Sequence, residues 1–151
     1  MSQQLRRYLW ALLCAVGVMG CTEPAKEIVG STADGQFELI LRADPNWVRP
    51  SGTLLVELVV RRLDPTAQLN FSDRIDLVAS NGTVTPASLT PDFSPALGDS
   101  IEKQVYQSWI SFRAPATSFN GPTGEQQSEL SALFREARAT FKVRIVPFLG
   151  D

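Results

Sequence analysis

Histidine is absent from the 151 residues. That removes the side chain most often used as a general acid or base near neutral pH, the Ser-His-Asp and Cys-His nucleophile systems, and the commonest metal ligand. Cysteine is nearly absent. Cys14 and Cys21 are the two in the chain, and both precede the body, so no disulfide can staple it and stability must come from a core. Basic clusters are missing as well: Lys and Arg total 14 against 16 Asp and Glu. A mildly acidic chain without a polybasic stretch argues against nucleic acid as a partner and against electrostatic adhesion to anionic lipid. Neither common glycine-rich phosphate loop occurs, and no apolar run reaches the ~20 residues that a spanning helix needs. With 44% aliphatic and aromatic residues, a packed core is nonetheless affordable and disorder is not expected.

The first twenty residues differ from the rest. Arg6 and Arg7 precede the uncharged run "LWALLCAVGVMG", the layout of a secretory signal with a positive head and an apolar middle. The run ends in Val18-Met19-Gly20-Cys21, which resembles the lipobox of bacterial lipoproteins: an aliphatic residue, a variable one, a small one, then cysteine. The resemblance implies that the Cys21 sulfur takes a diacylglycerol, that cleavage falls between Gly20 and Cys21, and that Cys14 leaves with the leader. The cysteine is required because a thiolate is the strong nucleophile for that transfer. Acyl chains would then hold the protein, since two or more give stable anchoring. Thr22 follows the cysteine in place of the aspartate that retains some lipoproteins in the inner membrane. By resemblance this implies outer-membrane attachment. Residues 21–35, rich in Pro, Gly and small polar types, read as a flexible tether.

From residue 36 the pattern turns to period two. Phe37, Leu39 and Leu41 alternate with Glu38, Ile40 and Arg42. Leu54, Val56, Leu58 and Val60 share one face of the next run, and Leu55 and Val59 flank Glu57 on the other. Ile75, Leu77 and Ala79 face inward, and Asn81-Gly82 signals a tight turn between strands. Pro86 confines its segment to an edge or a bulge. Tyr106, Ile110 and Phe112 share one face, with Val105 and Trp109 on the other. The last run, Ala137 to Ile145, alternates most cleanly. Residues 128–136 can be read as a helix, with Leu130, Leu133 and Phe134 on one side, or as a strand, with Leu130, Ala132 and Phe134 inward. Helix propensity favours the first. A hairpin across Arg135-Glu136 favours the second, which is adopted.

About seven short strands separated by turns predict an all-β antiparallel sandwich over residues 36–151. The segments "ADPNWVRPSGTLLVELVV", "LVASNGTVTPASLT" and "WISFRAPAT" resemble the bacterial Ig-like domains of invasin-type surface proteins. The resemblance implies an Ig-like sandwich that acts through contacts. Such domains often occur in series, whereas this chain has room for one.

Carboxylates are the remaining candidates for chemistry. Asp73 and Asp76, three apart on an expected strand, should face opposite ways. Asp92, Asp99 and Glu102 border one loop and offer oxygen ligands of the kind calcium takes. Without EF-hand spacing they are read as a solvated acidic loop. No metal, cofactor or small-molecule substrate is therefore expected, and no catalytic residue is assigned. Trp47 either caps the end of the core, the favoured reading, or presents an exposed contact. Trp109, with Val105, is either covered by the loop carrying Phe119, again favoured, or open to a partner. The expected partners are the membrane, through the lipid anchor, and an envelope protein that the residues do not identify.

Overall fold

A computed structural model of the chain describes residues 26–98, 102–116 and 126–147. The expected leader, the expected Gly20-Cys21 cleavage point, Asp99 and Phe119 lie outside the described residues. Every regular element described is a strand: β1 Glu27–Ser31, β2 Phe37–Arg42, β3 Trp47–Val48, β4 Thr53–Arg62, β5 Ile75–Ala79, β6 Thr83–Thr85, β7 Ser88–Leu89, β8 Val105–Arg113, β9 Gln126–Phe134 and β10 Ala137–Ile145. They form two five-stranded sheets, in the orders β1-β2-β4-β8-β6 and β3-β10-β9-β5-β7. All pairings are antiparallel except β3 with β10, which run parallel.

The alternation places the core. Thirteen residues that the period-two pattern points inward, from Phe37 and Leu39 to Val143 and Ile145, are all buried between the sheets. Leu41 lies opposite Leu58, Val56 opposite Ile110, and Leu54 opposite Phe112. Phe37, Phe112, Phe134 and Phe141 are the largest fully buried side chains. Residues 126–134 are a strand, paired with β10 from Gln126↔Ile145 to Phe134↔Ala137. The turn is Arg135-Glu136, and Arg135 takes a left-handed φ of 52°.

Three expectations change. The expected tether is shorter than its composition indicates, because residues 27–31 form β1 and pair with residues 38–42 of β2. Val29 comes beside Ile40, which is itself opposite Val59. Ile40 is therefore buried at 5% exposure, although it belongs to the outward-facing set. Asn81-Gly82 turns the chain, but β5 and β6 on either side belong to different sheets, so the turn is a crossing and not a hairpin. It is tied to β9 by Ser128, whose Oγ donates to the Asn81 carbonyl at 2.6 Å. Finally, ten strands replace about seven, the additions being β1 and the two-residue β3 and β7. Pro86 falls between edge strands β6 and β7, as a residue without an N–H requires.

β1 also closes the side of the sandwich, and Gly30 allows it to. A Cβ at Gly30 would lie 2.2 Å from the Arg138 carbonyl oxygen and 2.7 Å from its carbon. Both are backbone atoms of β10 and cannot turn aside. Gly30→Ala should therefore lever β1 off β10 at a cost of about 1–3 kcal/mol, the usual range for overpacking. Hydrogen exchange checks this: amide protection should collapse in β1 and persist in the β9–β10 hairpin. Unchanged protection in β1 would mean the close approach is not needed.

Candidate functional site

The outer face of the β1-β2-β4-β8 sheet carries a row of polar side chains across four strands. Register sets it: Glu27 lies opposite Arg42, Arg42 opposite Glu57, and Glu57 opposite Trp109. Arg42 Nε and Gln107 Nε2 both donate to the Glu57 carboxylate, and Arg42 reaches Glu27 at 3.7 Å. The Arg42 hydrogen bond, partly opposed by desolvation, holds the Glu57 carboxyl below its ordinary 4.5. Glu57 is thus ionised and committed on both oxygens. A catalytic acid needs the reverse, a raised value and an open side.

One row nearer the end where β4 begins, Leu55 projects outward and is 60% exposed. Trp109 is 57% exposed and Trp47 43%, so the favoured readings of a covered Trp109 and a capping Trp47 give way to exposure. Their settings explain this. Trp109 stands on the outward parity of β8, and Trp47 on a two-residue edge strand whose inward residue is Val48. Two open depressions flank Leu55. One, of about 440 Å³, is lined by Lys26, Arg42, Glu57 and Trp109 among others. The other, of about 460 Å³, is lined by Trp47, Pro45, Arg49 and Leu54 among others. Asp44 and Leu55 form walls of both, and Lys26 holds Asp44 at 3.0 Å. The structure thus gathers around Leu55 two tryptophans that are 62 positions apart in sequence. Val105, which the sequence groups with Trp109, lies at the other end of β8, opposite Arg61.

The carboxylate candidates among the described residues, Asp73, Asp76, Asp92 and Glu102, each meet a local or cationic partner. Asp73 precedes β5 and is bound by Arg135, while Asp76 on β5 pairs with Arg74 at 2.9 Å. Asp92 accepts from the Ser94 N–H at 2.8 Å in a local turn, and Ser94 lowers its pKa. Glu102 is engaged by Arg62. Among the described residues no three Asp, Glu, Cys or His side chains cluster as metal ligands.

Sequence reasoning passed over Arg135 and Leu55. Arg135 joins three segments at the far end of the sandwich. Its Nη2 donates to Asp73 at 2.7 Å and to the Gln68 carbonyl at 2.8 Å. Its guanidinium stands 4.8 Å from the centre of the Phe37 ring. Only its place in the tight β9–β10 turn hinted at a special role. Leu55 was legible as outward-facing, but its nearness to both tryptophans depends on the β4–β8 register and on the turn into β3. No family model, curated protein or solved structure matches this chain.

Proposed function

We propose that this chain is a lipid-anchored, non-catalytic Ig-like module of a bacterial envelope, attached through Cys21 to the outer membrane and working by contact. Strand order supports the Ig-like part. Taking β2, β4, β5, β6, β8, β9 and β10 as strands A to G places ABED in one sheet and CFG in the other, the Ig constant-type arrangement. A fold alone assigns no role, so the role rests on the surface. The observation that carries it is the exposed Trp47–Leu55–Trp109 group at the end of the body that follows the Val18-Met19-Gly20-Cys21 quartet. Tryptophans are the residues most often decisive at contact surfaces, whereas the carboxylates beside them are neutralised by Arg42 and Lys26.

A second reading is an accessory subunit of an envelope complex. Phe71 and Leu97 favour it, since both are fully exposed. Their loops follow Arg62 and precede Val105, at the end of the sandwich away from the tether.

Cys21→Ala tests the anchor. The variant should accumulate as an unprocessed precursor that retains residues 1–20 and carries no acyl mass, while the native protein fractionates with the outer membrane. A mature native chain that begins at an unmodified residue other than Cys21 would refute lipid attachment.

A further inference from the structure

We propose that the Trp47–Leu55–Trp109 surface is a membrane-docking face, lying against the polar–apolar boundary of the bilayer that holds the chain. This rests on acylation of Cys21 and deepens that reading by naming what the tryptophans touch. Lys26 lines the same depression as Leu55 and Trp109, and its carbonyl accepts from the Ala43 N–H at 3.0 Å. It lies five positions after Cys21. Fully extended, five positions span at most about 18 Å. An acylated Cys21 is held at the interface, so the depression lies within that distance of it. β4 carries the chain roughly 30 Å along the sandwich to Arg62, so the loops bearing Phe71 and Leu97 lie at the end away from the bilayer.

The chemistry fits a membrane boundary better than a hydrocarbon interior. Indole rings, apolar in body with one N–H donor, concentrate at the headgroup level. Here two of them flank a single exposed leucine, and the surrounding charges cancel: Lys26, Arg42 and Arg49 against Glu27, Asp44 and Glu57. The face therefore suits zwitterionic lipid and has no net charge for anionic headgroups to attract. Its intrinsic affinity can be small, because a short tether turns docking into an intramolecular event at high effective concentration.

Three tryptophans occur in the chain, and Trp10 would leave with the leader. The mature protein then reports through Trp47 and Trp109 alone, both in this face. The experiment reconstitutes the full mature protein, its Cys21 acylation verified by mass, into phosphatidylcholine vesicles with bromines near the top of the acyl chains. Emission should shift to the blue and fall to about half of that in unbrominated vesicles, as expected of indoles at the boundary. Salt should not change the quenching. Leu55→Glu should abolish most of it, and Phe71→Ser at the far end should not. An acylated protein whose tryptophans are unquenched by bromolipid and remain open to aqueous acrylamide overturns the proposal and leaves the face to a protein partner. A mass without diacylglycerol overturns the anchoring reading and this proposal with it, through a different measurement.

Discussion

Arg135→Ala should destabilise the domain by about 3 kcal/mol, at the lower end of what breaking a buried ion pair costs, because this pair keeps some exposure. Removing the guanidinium strips three partners at once. Asp73 loses its charge-assisted bonds at 2.7 and 3.2 Å, the Gln68 carbonyl loses its donor, and Phe37 loses the cation over its ring. Asp73 would keep the Asn70 N–H at 2.7 Å, which tempers the loss. Arg135→Gly should be milder than Ala by about 1 kcal/mol, since glycine takes the left-handed φ without penalty. Urea unfolding of the two variants measures both differences. Equal midpoints for Ala and the native residue would show that the guanidinium contributes no net stability.

The same pair predicts a pH dependence of defined sign. The Arg135 hydrogen bond is the main cause that depresses the Asp73 pKa below 3.8, against the opposing effect of burial. A carboxyl whose folded value lies below its unfolded value stabilises the fold above the unfolded value. That contribution fades as pH falls through 3.8 and is gone below the lowered folded value. Asp73→Asn should therefore lower stability at neutral pH and flatten the acid limb of the stability curve. A variant whose loss is the same at neutral and strongly acid pH would contradict this assignment.

Phe37→Ala should be the most damaging core truncation, at about 3–5 kcal/mol. Phe37 is fully buried. It meets Phe134 edge-on at a centroid distance of 5.5 Å and Phe93 at 6.1 Å. It therefore links β2 to the opposite sheet and to the loop before β8. Domains of this kind hold only about 5–15 kcal/mol in total, and no disulfide constrains the unfolded body. Phe37→Ala should lower the thermal midpoint by roughly 10 °C or more. Phe37→Leu should lose much less because it leaves a smaller cavity. Because Arg135 stacks on the same ring, the double variant should cost less than the two single losses added together. Strict additivity would mean that ring and guanidinium stabilise the fold independently.

Much of this architecture was present in local pattern. In β10, Ala137, Ala139, Phe141, Val143 and Ile145 alternate with polar residues, and every one of them is buried. A period of two needs no partner to be read. The same holds for β2, for the inward set of β4, and for the hairpin across Arg135-Glu136. The lack of histidine and of basic clusters likewise belonged to composition alone. The quartet Val18-Met19-Gly20-Cys21, on whose resemblance to a lipobox the proposed anchoring rests, is equally local, being four adjacent residues after an apolar run.

What tertiary structure decided was which edges meet. "EIVGS" carries tether-like composition and became β1 because β2 offered a free edge and Gly30 let two backbones approach. Asn81-Gly82 carries a hairpin signal, yet it became a crossing because β5 pairs with β9 while β6 pairs with β8. Arg135 and Asp73 lie 62 residues apart, as do Trp47 and Trp109. Neither pair shares a local pattern. Alternation tells which way a side chain points from its own strand, a property of a few neighbouring dihedrals. Which side chains become neighbours depends on strand order and register, and those are settled only when two sheets bury their apolar faces against each other.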